Sequence, residues 1–114
     1  MTTLLILHVT SGVLLILLSL PLLWGKIPPN GLYGFRVRAT LENPVIWYAA
    51  NRYAAKWLLW SGAIFVVAAV GLYFIPGISV DVYSLGCLSV FAVPFVIGLV
   101  QSVRYAKLLA RQTR

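Results

Sequence analysis

The chain has 114 residues, of which 61% are hydrophobic and 10% are charged, and its formal net charge is +7. A soluble domain carries about 25% charged residues, so this balance excludes an ordinary soluble protein. Three stretches without Asp, Glu, Lys or Arg have the length of a membrane-spanning helix, and none alternates like a barrel strand. They predict an all-α integral membrane protein, one membrane domain over 1–114, with transmembrane helices at 3–24, 57–75 and 83–103.

The first predicted span, residues 3–24, contains one titratable side chain, that of His8. The first three residues of the chain, Met-Thr-Thr, have no positive side chain, and the apolar stretch is longer than the core of a signal peptide. We therefore expect a span that is retained. His8 lies about one turn inside the boundary, where we expect a side chain that reaches the interface; a proton switch is the alternative.

The segment between the first two spans, residues 26–56, is much longer than the roughly 4–6 residues of an ordinary connection. Its first part, residues 26–42, is rich in Pro, Gly and Asn and predicts an ordered, irregular loop. Gly34 allows a bend or a close approach of the backbone in this loop. Asn43 followed by Pro44 predicts the start of a helix that continues into the second span.

Two arginines of this segment are candidates for binding an anionic group. Arg36 and Arg52 each carry a planar guanidinium that suits a carboxylate or a phosphate, and both lie near the predicted edge of the hydrocarbon. The alternative is structural. In that interpretation the two guanidiniums bond helix-terminal carbonyls and Glu42, and they fold the loop onto the helices.

Four further side chains can complete a ligand site or order the loop. Tyr33 and Trp47 can form the wall of an amphipathic pocket, since each combines an aromatic ring with a polar group. Asn30 and Asn51 can both donate and accept hydrogen bonds. Because Trp47 and Asn51 are four residues apart, a helix places them on one face, one turn apart.

The remaining charges predict the orientation. The link between the second and third spans holds only Asp81, whereas all nine basic residues fall in 26–56 and in a basic tail, 104–114. Lys and Arg mark the cytoplasmic side of a membrane protein, so we expect the N-terminus outside and the C-terminus in the cytoplasm. Attraction to anionic membrane lipids explains the net positive charge, so membrane lipids are the expected partners and nucleic acid is not. Cys87, in the middle of the third span, is expected to be an inert packing residue.

The stretch "IPPNGLYGFR" at residues 27–36, followed by Thr40, Trp47 and "NR" at 51–52, resembles the signature of the SdpI/YfhL family. These small bacterial membrane proteins are named for immunity to a sporulation-delaying toxin peptide. Val37 departs from the signature, which usually has Thr there. The matching positions are Pro29 and eight further residues, and for these eight the resemblance implies a ligand-binding or loop-ordering role: Asn30, Tyr33, Gly34, Arg36, Thr40, Trp47, Asn51 and Arg52.

The resemblance to a short, single-module member implies a bacterial cytoplasmic membrane protein. It implies immunity or resistance to a toxic peptide, which the protein binds or whose target it masks. One alternative is a signalling scaffold that sequesters a cytoplasmic regulator; another is a lipid-headgroup-binding protein or a minimal lipid enzyme. Catalysis is not expected, because the two acids, Glu42 and Asp81, fall on opposite sides and no metal or Ser–His–Asp set is present. No cofactor is expected, and the oligomeric state stays open.

Overall fold

A computed structural model describes residues 1–112 of the chain. The described residues form four helices and no strand, and the three long ones, α1, α3 and α4, are long and apolar enough to cross a membrane. The predicted all-α membrane fold is therefore confirmed. In chain order the helices are α1 (Thr2–Leu23), α2 (Arg38–Glu42), α3 (Pro44–Tyr73) and α4 (Val80–Gln112).

Helix α3 begins where the sequence predicts it. The Asn43 side chain accepts a hydrogen bond of 2.9 Å from the backbone N–H of Val45, and Pro44 occupies the first turn. The cap satisfies one of the N–H groups that a helix start leaves free, and proline has no N–H to satisfy. The helix then runs without a break to Tyr73, so the predicted amphipathic segment and the second span form one element.

Helix α4 extends beyond the predicted span of 83–103. It continues to Gln112, so residues 104–112 of the predicted basic tail are helical, while residues 113–114 lie outside the described part of the chain. The physical reason is that "RYAKLLARQ" consists mostly of good helix formers and contains no Gly or Pro. A helix of 33 residues is about 50 Å long, which exceeds the hydrocarbon thickness, so its last turns extend past the apolar stretch.

Helix α3 lies between α1 and α4 and packs against both. We call the end of the bundle with residues 26–43 the loop end, and the opposite end, with the α3–α4 connection, the turn end. At the turn end α1 also meets α4, since the rings of His8 and Tyr83 lie 5.4 Å apart. His8 is half-buried there, also against Phe65, and its Nδ1 bonds the Leu4 carbonyl, in contrast to the expected solvent-reaching side chain.

Two buried clusters hold the helices together. The cluster at the turn end contains Cys87, which is free and fully buried, in agreement with a packing role. Small residues allow α1 and α3 to approach closely, because a Cβ on Gly62 of α3 would lie 3.2 Å from the Gly12 carbonyl oxygen of α1. The turn-end cluster is Phe65, Ala69, Tyr83 and Cys87, and the loop-end cluster is Ile46, Ala50 and Ala106.

Candidate functional site

The first turn of the loop is closed by a single side chain, that of Asn30. Its Oδ1 accepts hydrogen bonds from the backbone N–H groups of Leu32 and Tyr33, at 2.8 and 2.7 Å. Its Nδ2 donates to the carbonyls of Pro28 and Tyr33, at 2.8 and 3.0 Å. This is the local side-chain bonding by which Asn stabilises turns. The donor and acceptor groups of the Asn30 amide therefore form their hydrogen bonds within the loop itself.

Two side chains of α3, one turn apart, form hydrogen bonds with the loop backbone. Asn51, only 2% exposed, accepts from the Phe35 N–H at 2.5 Å and donates to the Phe35 carbonyl at 3.2 Å, as a neighbouring β-strand would. It also donates to the Trp47 carbonyl at 2.9 Å. Trp47 is fully buried, and its indole N–H donates to the Ile27 carbonyl at 2.8 Å. One turn of α3 thus fixes the loop at both Ile27 and Phe35.

Gly34 and Thr40 shape the chain between these anchors and α2. Gly34 has a φ of +117°, and a Cβ there would lie 3.0 Å from the Trp47 ring. Thr40 is fully buried; its hydroxyl accepts from the Val37 N–H at 2.9 Å and faces the carbonyls of Val37 and Phe35 as donor. Thr40 thereby links the start of α2 to the segment that Asn51 holds.

The remaining predicted residues also bond backbone carbonyls. Arg36 donates to the Gly31 carbonyl within the loop, and Arg52 donates from Nε to the Leu23 carbonyl at 3.2 Å, one of the last carbonyls of α1. Tyr33 donates to the Leu18 carbonyl of α1. Burial raises the pKa of the Tyr33 hydroxyl, which favours the protonated, donating form.

Glu42 does not pair with either of these two arginines. It bonds Arg38 four residues earlier, with Nε and Oε1 2.8 Å apart, and this is the single ion pair among the described residues. The predicted bond from Arg36 or Arg52 to Glu42 is therefore wrong, whereas the predicted bond from Arg52 to a helix-terminal carbonyl is found. The physical reason is distance along the helix: positions i and i+4 of α2 face each other, and both side chains are exposed.

An apolar cavity lies beneath the loop, and we call this cavity the wedge. Of the two residues predicted to form a pocket wall, Tyr33 lines the wedge and Trp47 does not. Helices α1 and α4 meet at the turn end, but at the loop end they line opposite sides of an opening of about 270 Å³ over one face of α3. Residues 33–35 close it at the loop end. The lining residues are Leu18 and Leu22 of α1, residues 33–35, Asn51, Ala54, Ala55, Trp57 and Leu58 of α3, and Phe95, Gly98, Leu99 and Ser102 of α4.

The lining of the wedge is mostly apolar, and its polar groups already have partners. Asn51 and Tyr33 bond the loop and α1, and the Ser102 hydroxyl donates to the Gly98 carbonyl at 2.6 Å. No buried side-chain N or O atom of the described residues lacks a hydrogen bond. Water needs several polar partners in a cavity, so the wedge suits an apolar chain better than water.

Comparison with protein families finds one family whose match includes this loop. The model of the SdpI/YfhL protein family matches residues 26–103, which is more than half of the chain. The match begins at the loop and includes α2, α3 and most of α4, whereas α1 precedes it. No curated protein and no solved structure is significantly similar to the chain. The extent of the family match shows that the chain belongs to the SdpI/YfhL protein family.

Proposed function

We propose that this protein confers resistance to a membrane-active toxic peptide by binding an apolar part of that peptide in the wedge. The observation that carries the proposal is the wedge itself, an apolar cavity lined in part by loop residues 33–35, which lie within the family match. Its rim includes the exposed side chains of Leu18, Phe95 and Leu99. All three lie on helices long and apolar enough to span a membrane, so a ligand would enter from the lipid.

The physical chemistry of the bilayer favours this type of ligand. A segment within hydrocarbon must satisfy its own backbone hydrogen bonds, so a bound peptide would be helical and present side chains to the wedge. Lipid tails are as apolar as those side chains, and affinity therefore comes from close packing rather than from the hydrophobic effect. A preformed cavity provides such packing. The mechanism is stoichiometric binding, with no chemical step.

Ala54 provides the test, since it lies in the wall of the wedge. Ala54→Leu fills part of the cavity without removing any hydrogen bond of the loop. We expect sensitive bacteria that express this variant to lose at least about tenfold in the tolerated concentration of sporulation-delaying toxin peptide, because a lost packing contact of about 1.4 kcal/mol is a tenfold loss in binding. The measurement is the minimal inhibitory concentration.

Val67→Leu is the matched control, because Val67 is 72% exposed on α3 and does not line the wedge. It enlarges a side chain that faces lipid and should leave protection unchanged. Melting temperature and membrane yield of both variants establish that they fold. A folded Ala54→Leu protein that protects as well as the parent would rule out the wedge as the binding site. Absence of protection by the parent protein would rule out the resistance function.

We also propose that the loop end faces the cytoplasm, as the concentration of Lys and Arg there predicts. In a Cys87→Ala background, a cysteine at the exposed Ser79 of the turn end should react with an impermeant thiol reagent on intact cells. A cysteine at Leu32, which is 93% exposed in the loop, should react only after permeabilisation. The opposite labelling pattern would reverse the orientation.

A further inference from the structure

A second cavity lies at the loop end, between α2 and the last turns of α4. This cleft has a volume of about 380 Å³ and shares no lining residue with the wedge. It is lined by Val37, Arg38, Ala39 and Glu42 on one side and by Val103, Lys107, Ala110 and Arg111 on the other.

The rim of the cleft carries an excess of positive charge. Three cations, Arg38, Lys107 and Arg111, face one carboxylate, that of Glu42, which leaves +2. Arg38 neutralises Glu42 at 2.8 Å, and no described acidic side chain pairs with Lys107 or Arg111. These last two are one turn apart on α4, where like charges repel. The helix C-terminus favours cations on α4, and Arg38 of α2 adds a third cation to the rim of the same cleft.

The walls of the cleft become apolar toward the membrane. Val37, Ala39 and Val103 line this part, and Val37 and Ala39 also pack on the loop-end cluster. Val103 is the last residue of the uncharged stretch of α4, and Arg104 follows it. The cleft therefore crosses the boundary between hydrocarbon and headgroups, with apolar walls on one side of it and cations on the other.

We propose that this cleft binds an anionic phospholipid, with the phosphate between Arg38, Lys107 and Arg111 and the glycerol and upper acyl chain against Val37 and Val103. A guanidinium fork bonds phosphate oxygens in pairs, and a lysine adds a point charge. The charge complementarity and the change from polar rim to apolar wall select a lipid over a soluble anion. Arg36 and Arg52 do not line this cleft, and they donate to backbone carbonyls elsewhere.

The test compares lipid binding to the purified full-length protein and two double variants, measured by native mass spectrometry. Lys107→Gln/Arg111→Gln removes two charges from the cleft, and Lys56→Gln/Arg104→Gln removes two exposed charges that do not line it. We expect the cleft variant to bind phosphatidylglycerol at least about tenfold more weakly, since it loses charge-assisted hydrogen bonds, and the control to change less than about twofold.

Two further measurements on the parent protein identify the class of ligand. Phosphatidylcholine with the same acyl chains should bind the parent protein more weakly than phosphatidylglycerol, and inorganic phosphate at equal concentration should not displace the lipid. An equal loss in both variants would overturn the proposal in favour of diffuse attraction, and no loss in the cleft variant would overturn it outright. Displacement by inorganic phosphate, or equal binding of phosphatidylcholine, would overturn the assignment to an anionic lipid. None of these variants alters the wedge, so the resistance function is tested separately.

Discussion

Gly34→Ala is expected to destabilise the protein by about 1–3 kcal/mol, the cost of holding a residue with a side chain in a sparsely populated backbone conformation. Gly34 has a φ of +117°, and the new Cβ would lie 2.9 Å from Oδ1 of Asn51 and 3.0 Å from the Trp47 ring. Both neighbours are buried and hydrogen-bonded, so neither can move without losing a bond to the loop. The measurement is the melting temperature in detergent, with Trp fluorescence as a probe.

Gly31→Ala is the matched control in the same loop. Gly31 has no positive φ, and a Cβ there would meet no atom within 4 Å. Its melting temperature should stay the same or rise slightly, because alanine restricts the unfolded chain. Equal losses in the two variants would mean that the loop resists any change of glycine. An unchanged melting temperature for Gly34→Ala would mean that the loop does not hold the close contact with Trp47.

The local parts of the fold follow directly from the sequence. Asn43 and Pro44 fix the start of α3 because capping depends on residues next to each other in the chain. The pairing of Trp47 and Asn51 follows from helical spacing in the same way. The three apolar helices follow from length and composition. In each case the deciding interaction lies within a few residues.

The parts that the sequence did not predict depend on packing between distant segments. Arg52 has a long side chain that could reach several acceptors, and only the position of α1 selects the Leu23 carbonyl. The wedge is a gap between α1 and α4. From the sequence alone, a small residue such as Ala54 or Gly98 is equally compatible with the wall of a cavity and with a close helix contact. Spacing reveals which residues share a face, but it does not reveal how far away the next helix lies.

The family signature in this chain acts chiefly on its own loop. Four of its side chains form hydrogen bonds with backbone atoms of residues 27–40 or of α3: Asn30, Thr40, Trp47 and Asn51. These side chains therefore specify the shape of the loop that closes the wedge. The position of a ligand would then depend on apolar residues, such as Ala54, that the signature does not include.

Gly98→Ala is expected to have a comparable effect at the contact between α3 and α4. A Cβ on Gly98 would lie 2.5 Å from Cβ, 2.6 Å from Cγ and 2.9 Å from Cδ2 of Trp57. The first of these atoms moves only with the α3 backbone, so rotating the Trp57 side chain cannot relieve the clash. Overpacking of this kind costs about 1–3 kcal/mol. We expect a lower melting temperature, and because both residues line the wedge, we also expect weaker protection against the toxin peptide.

Gly71→Ala separates this effect from a general response to replacing helical glycine. Gly71 lies near the end of α3, and a Cβ there would meet no atom within 4 Å. Alanine exceeds glycine in helix propensity by up to about 1 kcal/mol, so this variant should be as stable as the parent or more so, with full protection. A Gly98→Ala protein that melts like the parent would show that α4 does not approach Trp57 this closely. Normal stability together with lost protection would instead place Gly98 in direct contact with the peptide.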